Sequence, residues 1–135
     1  MDSITIPART DELNTVYEFV MRKLAARNCS GKTLYQLRLV IEEIFVNIAS
    51  YAYAPGDGEA EIGCLVAEDP PRVVVRFIDG GAPFDPLSRE EADTSPEGLM
   101  GREGGLGILL VKKLMDEVRY AYEDGKNILT VMKKL

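Results

Sequence analysis

The chain of 135 residues contains no histidine and only two cysteines. Without histidine, the protein lacks an imidazole general base, a Ser-His-Asp or Cys-His nucleophile system and a histidine phospho-acceptor of its own, and most zinc sites are excluded as well. Any acid–base chemistry must therefore come from carboxylate, lysine, tyrosine or cysteine side chains. Cys29 and Cys64 fit no CxxC spacing, so we expect two reduced structural thiols.

Basic clusters and long apolar runs are also missing. The net charge is −6 with a pI near 4.7, which argues against a nucleic-acid-binding surface. No apolar run approaches the roughly 18 residues that a membrane span needs, and the first residues lack the basic and apolar regions of a signal peptide. With 46% hydrophobic residues, we expect one domain over residues 1–135 in the cytoplasm, without direct contact to nucleic acid or membrane.

Hydrophobic periodicity predicts strands and helices around one long loop. Residues 80–107 include seven glycines and three prolines, and so long a loop should be functional rather than a passive connection. Asp124-Gly125 between two alternating segments predicts a hairpin. The pattern predicts an α+β fold, a two-layer α/β sandwich with helices covering one face of a mixed, mostly antiparallel sheet. The expected strands are 3–6, 59–67, 72–78, 117–123 and 127–133, and the expected helices are about 10–26 (capped by Thr10), 30–53 (capped by Ser30 or Thr33) and 108–115.

The segment Leu39–Tyr53 carries two polar side chains in an apolar setting. Glu43 and Asn47 are four residues apart, so on a helix both point to one place, away from the apolar stripe. From this segment alone, an ordinary solvated helix face explains them as well as a site does. The stripe consists of Leu34, Leu37, Ile41, Ile44, Phe45 and Ile48.

The segment Asp79–Pro86 (DGGAPFDP) follows an apolar strand directly. Asp-Gly is common in tight turns, which is the simplest explanation. A turn needs only one glycine, however, and here a carboxylate stands at the end of an apolar strand, where it requires donors. The exocyclic amine of a purine would be a suitable donor, and the glycines would let a flat ring approach the backbone.

The segment Gly101–Val111 (GREGGLGILLV) is a glycine-rich loop that runs into an apolar helix. A flexible linker would also be rich in glycine, but it would not pass at once into a helix. The free N–H groups and partial positive charge of a helix start can bind phosphate. Asn47 offers a neutral oxygen suited to Mg²⁺, and Glu43 could orient or deprotonate an attacking hydroxyl or water.

In this order and spacing, the three segments resemble the motifs of the GHKL ATPase superfamily. The N box is matched by Glu43–Asn47 (EIFVN), the G1 box by Asp79–Pro86 and the G2 box by Gly104–Gly107 (GGLG). The small size, the FDP within the G1 segment and the ending GGLGILLVKKLMDEVRY resemble the anti-sigma factor serine/threonine-protein kinases. The resemblance covers nearly the whole chain and implies the Bergerat ATP-binding fold.

The resemblance also implies site residues and cofactors. ATP and Mg²⁺ would be bound, with Glu43 as the catalytic base, Asn47 as the metal ligand and Asp79 on the adenine amine. Residues 87 to about 104 would form the ATP lid, and Thr130 on the last strand would lie near the adenine. The full set implied to contact the nucleotide is Asn47, Asp79, Gly81, Ala82, Phe84, Gly104, Gly105, Leu106, Gly107, Ile108 and Thr130.

The implied function is that of a protein serine/threonine kinase that doubles as an anti-sigma factor. Such a protein phosphorylates a STAS-domain antagonist, sequesters a sigma factor and commonly forms a homodimer. The alternative is an ATP-binding partner-switch module without kinase activity. Two departures from the family concern the catalytic step: Tyr51 stands where many relatives carry histidine, and a second acid, Glu42, precedes Glu43. Arg102, within the lid, remains unassigned.

Overall fold

The computed structural model describes residues 1–87 and 105–135. A 3₁₀ turn (Thr10–Glu12) precedes α1, and a π-helical turn (Ile48–Ala52) continues α2. The region expected to form the lid falls outside the described residues except at Leu87. The regular elements are β1 (Asp2–Pro7), α1 (Leu13–Leu24), α2 (Gly31–Asn47), β2 (Glu59–Ala67), β3 (Arg72–Asp79), α3 (Gly105–Leu114), β4 (Glu117–Glu123) and β5 (Lys126–Lys134).

The five strands form one sheet in the order β1-β2-β3-β5-β4. Every pairing is antiparallel, so the expected mixed, mostly antiparallel sheet has no parallel pair among these strands. β1 lies at an edge and ends at Pro7, which lacks the N–H that continued pairing would use. β3 and β5 pair although α3 and β4 separate them in the chain, and this pairing brings distant polar residues together.

The core lies between the helices and one face of the sheet. Alternate residues of β3 are buried, as period-two strands require, and α2 buries the predicted stripe, with Leu34 partly buried at its start. Full burial of a Leu or Phe side chain contributes about 1.5–3 kcal/mol. The largest fully buried side chains are Phe45, Phe77, Leu24, Leu37, Ile41, Ile62, Val16, Val20, Val40, Val73, Val75 and Val111.

The helix and hairpin ends follow local sequence chemistry. Ser30 caps α2, since its hydroxyl accepts a hydrogen bond from Thr33 N–H at 3.1 Å. The prediction that Thr10 caps α1 is wrong, because Thr10 begins the 3₁₀ turn and Glu12 stands at the N-cap without a side-chain bond. Asp124 and Gly125 have φ of 52° and 74°, as a two-residue hairpin turn requires. None of the helices described is long and apolar enough to cross a membrane.

Candidate functional site

Asp79 ends β3 with a buried carboxylate, 7% exposed. Its Oδ1 accepts hydrogen bonds from Gly81 N–H at 2.9 Å and from the Asn127 side-chain amide at 3.0 Å. Both bonds use the same oxygen. In the described part of the chain, Oδ2 has no protein donor within hydrogen-bonding distance, so it can accept from a ligand.

Asn127, at the start of β5, is buried as well. It pairs with Asp79 in the register of β3 and β5. Its amide nitrogen also donates to the carbonyl oxygens of Ala82 at 3.0 Å and Gly81 at 3.3 Å, and its amide oxygen accepts from Phe84 N–H at 3.0 Å and from the Tyr120 hydroxyl. One side chain thus ties β4, β5 and the loop after β3 together.

Burial keeps the Tyr120 hydroxyl protonated and able to donate. Burial raises the pKa of Tyr120, and the nearby charges of Asp85 and Asp79 raise it further, against a lowering by the backbone of Phe84. The phenol therefore remains neutral at physiological pH. Its bond to Asn127 is available throughout the neutral range.

The loop after β3 packs against the end of α2. A Cβ at Gly81 would overlap the backbone carbonyl of Ala52, so this close approach requires glycine. The Tyr53 hydroxyl accepts from Gly80 N–H at 2.6 Å and donates to the Glu59 carbonyl at 2.5 Å. Its ring occupies the space beside Gly58, where a Cβ would overlap it. The π-helical turn, β2 and the loop are therefore held as one unit.

Glu43 and Asn47 lie on α2, both half-buried. The Glu43 carboxylate abuts Gly107 in the first turn of α3: a Cβ there would overlap Oε2 and lie 3.1 Å from the carboxylate carbon. An anion is stabilised beside a helix N-terminus. Glu42 is exposed on another side of α2, near Tyr17, whose pKa is raised first by burial and then by the charge of Glu42, as expected for a residue outside the site.

The remaining predicted site residues separate into three groups. Gly105 and Leu106 begin α3, and Ile108, half-buried, packs against the core. Ala82 and Phe84 are exposed in the loop after Asp79, with Phe84 N–H bound to Asn127. Gly104 lies outside the described residues.

Thr130, predicted to lie near the adenine, is on the opposite face of the sheet from Asp79. It pairs with Arg76 and Arg119, whereas Asp79 pairs with Asn127 three residues earlier on β5. Because side chains alternate between faces along a strand, Thr130 faces away from the helices while Asn127 lies on the side of Asp79. The residue of the last strand beside the buried carboxylate is therefore Asn127.

Sequence reasoning missed Asn127 and Tyr53. The signal for Asn127 was weak: a polar residue two positions after a hairpin glycine is also ordinary turn chemistry. Tyr53 was read only as the end of a helix. Gly58 and Gly80 both lie beside Tyr53 in the fold. In the sequence they belong to two separate turn segments, and nothing there links them to Tyr53.

Residues 6–133 match the family model of the histidine kinase-like ATPase domain. The chain belongs to this family, which confirms the class inferred from the three motifs. Its α+β architecture, an antiparallel sheet covered on one face by helices, confirms the fold class as well.

Among characterised proteins, the chain is similar to bacterial serine-protein kinases. It is 30% identical over 105 residues to the serine-protein kinase RsbW of Listeria monocytogenes serovar 1/2a, with 74% of this chain and 66% of that protein covered. It is 29% identical over 136 residues to the serine/threonine-protein kinase BtrW of Bordetella bronchiseptica, with 96% and 87% covered. The chain thus spans about two thirds of the length of the Listeria relative.

A solved structure shares the fold. The crystal structure of the RsbU and RsbW domains of Rv1364c from Mycobacterium tuberculosis matches with a TM-score of 0.67 at 18% identity, covering 100% of this chain and 33% of that one. At 18% identity, this match shows a shared fold and nothing further.

Proposed function

We propose that this domain binds Mg²⁺-ATP and transfers its terminal phosphoryl group to a serine or threonine of a STAS-domain antagonist, and that it sequesters a sigma factor. The observation that carries the proposal is the placement of two carboxylates along one helical segment, with Glu43 within α2 and Asp79 near the end of the π-helical turn that continues it. Asp79 lies against the end of the π-helical turn through Gly81 and Ala52, and Glu43 lies against the start of α3. Ala52 follows Glu43 by nine residues, about 13 Å along a helix, which suits an elongated ligand such as a nucleotide.

The end of the proposed nucleotide site that lies at Asp79 fits a purine with an exocyclic amine. The buried carboxylate keeps Oδ2 available after its bonds to Gly81 and Asn127. An ionised carboxylate oxygen only accepts hydrogen bonds, so a ligand amine would be bound in preference to a carbonyl oxygen.

The end at Glu43 fits the phosphates and the hydroxyl that attacks them. The first N–H groups of a helix have no intrahelical partner and favour anions, and α3 begins with Gly105 and has Gly107 in its first turn. The Glu43 carboxylate beside this turn is in position to accept the proton of an incoming hydroxyl.

Asn47, one turn after Glu43, is the proposed Mg²⁺ ligand. Its amide oxygen is neutral and hard, as Mg²⁺ prefers, and such sites use few protein ligands together with phosphates and water. When bound, the ion would neutralise charge on the phosphates. Asn47 is the last residue of α2, at the junction with the π-helical turn.

The partner surface and a second copy of the chain belong to the same proposal. The sequence suggests part of the sigma-factor contact on the first helix at Glu12, Glu18, Arg22 and Lys23. Of these, Glu18 and Arg22 are exposed and Glu12 and Lys23 are half-buried. The resemblance to anti-sigma kinases supports a homodimer acting in the cytoplasm. The kinase names of the relatives support the phosphotransfer step.

The first experiment compares Mg²⁺-ATP and Mg²⁺-ADP binding by calorimetry in the wild type and in Asn47→Ala. We expect metal-dependent binding that weakens strongly in the variant. Absence of binding in the wild type would refute the proposed function and leave the domain as a nucleotide-free interaction module.

The second experiment isolates the base. Glu43→Gln should retain ATP binding but lower phosphotransfer to a STAS-domain antagonist by about 10²–10⁴-fold, the usual contribution of general acid–base catalysis. Glu42→Gln is the matched control, because it makes the same change at an exposed neighbouring position, and should transfer at the wild-type rate. Undiminished transfer by Glu43→Gln would show that another group serves as base. A wild type that binds ATP and a sigma factor without transferring phosphate would favour the partner switch without kinase activity.

A further inference from the structure

Asn127 holds a hydrogen-bond network that surrounds the free oxygen of Asp79. Its amide nitrogen has two hydrogens, and the two shortest bonds, both 3.0 Å, go to Asp79 Oδ1 and the Ala82 carbonyl. Its amide oxygen has two lone pairs, which receive Phe84 N–H and the Tyr120 hydroxyl. Every hydrogen-bonding position of this buried side chain is used.

The orientation of the amide follows from the groups around it. The nitrogen faces a carboxylate and carbonyl oxygens, all of which accept, and the oxygen faces an N–H and a hydroxyl, both of which can donate. The reversed amide would set its oxygen against the carboxylate of Asp79 and the carbonyl of Ala82, and its N–H groups against Phe84 N–H. Only one orientation satisfies the site.

The consequence concerns the direction in which the Asp79 carboxylate points. Gly81 N–H and the Asn127 amide both engage Oδ1, so the carboxylate cannot rotate without breaking two buried hydrogen bonds. Oδ2 is thereby kept as the oxygen available to a ligand. The same side chain fixes the backbone that follows, at Ala82 and Phe84, along which the ligand would lie.

We infer that Asn127 is a positioning residue for nucleotide-base recognition: it orients Asp79 so that Oδ2 accepts a hydrogen bond from an exocyclic amine, and so sets the preference for an aminopurine. This inference rests on the proposed function, because it concerns the same nucleotide site. It differs from a purely structural role, in which Asn127 would only stabilise the loop and would act equally on every nucleotide.

The test compares two nucleotides that differ only in the amine. ATP and purine riboside triphosphate, in which hydrogen replaces the exocyclic amine, are titrated by calorimetry into the wild type, Asn127→Asp and Asp79→Ala. A hydrogen bond to a charged group corresponds to about 10- to 100-fold in affinity, and we expect the wild type to favour ATP by that factor. Asn127→Asp sets a second carboxylate against Asp79 and should reduce the preference to within about threefold of unity.

Asp79→Ala should lose the same preference, and the double variant should lose no more than either single variant, because the two residues act on one hydrogen bond. Asn28→Asp, the same substitution in the exposed loop between α1 and α2, is the matched control and should keep the wild-type ratio. An Asn127→Asp variant that weakens both nucleotides equally and keeps the ratio would overturn the inference.

Further results distinguish a failure of this inference from a failure of the variant to fold and from a failure of the proposed function. If Asn127→Asp does not fold, Asn127→Ser is used instead, since its small hydroxyl removes the amide donors with less repulsion, and an unchanged ratio there overturns the inference as well. A wild type that binds neither nucleotide refutes the proposed function and the inference with it. A wild type that binds both without preference refutes the base recognition alone.

Discussion

Replacing Gly107 by alanine should leave the free energy of unfolding nearly unchanged but lower the rate of phosphotransfer. Glycine in a helix interior is about 0.8–1 kcal/mol less favourable than alanine, and Gly107 has no positive φ that would strain a side chain. The added Cβ overlaps the Glu43 carboxylate, the far end of a flexible and half-buried side chain, which can turn away at about 0.5–1.5 kcal/mol. The two terms nearly cancel, so the free energy of unfolding should stay within about 1 kcal/mol of the wild type.

The activity should respond differently, because the carboxylate is displaced from the start of α3. A misplacement of about 1 Å can cost about 10²-fold in rate, and we expect at least that loss in phosphotransfer. The assay is antagonist phosphorylation under saturating Mg²⁺-ATP, alongside urea denaturation. Gly31→Ala is the matched control, since Gly31 also lies in the first turn of a helix, with open space where the Cβ would be; phosphotransfer should stay at the wild-type rate, and stability should be unchanged or rise by up to about 1 kcal/mol.

Two outcomes would refute this reasoning. Wild-type phosphotransfer by Gly107→Ala would show that Glu43 does not act from its position beside Gly107. A loss of more than about 2 kcal/mol in stability would show that the carboxylate is pinned and cannot turn away.

The other predictions use the same contacts. Gly81→Ala should destabilise the domain by about 1–3 kcal/mol in urea denaturation, because its Cβ meets the backbone of Ala52, which cannot turn away; a neutral result would contradict that contact. Tyr53→Phe keeps the ring and removes two hydrogen bonds, which should cost about 1–2 kcal/mol in the same assay; unchanged stability would show that water replaces both. Burial raises the pKa of the Cys64 thiol from 9.0 to about 11, so at pH 8 iodoacetamide should modify the half-buried Cys29 and leave Cys64 intact until unfolding. Rapid labelling of Cys64 in the native protein would contradict its burial. Because the unfolded thiol ionises at lower pH than the native one, the contribution of Cys64 to stability is present below pH 9 and falls between about pH 9 and 11.

Local patterns alone determined most of the elements of this protein. The strands 59–67 and 117–123 were predicted with the bounds that the structure has, because alternation and turn residues act between neighbours in the chain. The buried stripe of α2 and the hairpin at Asp124-Gly125 follow from the same short-range rules. The family, too, was readable from the order of three short segments.

Only the tertiary structure decided which residues meet across the site. β3 and β5 are separated in the chain by 46 residues that include α3 and β4, so no tight turn sets their register, and a shift of one residue would exchange the two faces of the strand. The register places Asn127 on Asp79, 48 residues away, and turns Thr130 to the other face. The contact of Glu43 with Gly107 likewise depends on how α3 packs against α2. Helical spacing determined that Glu43 and Asn47 are neighbours, but long-range packing determined what they face.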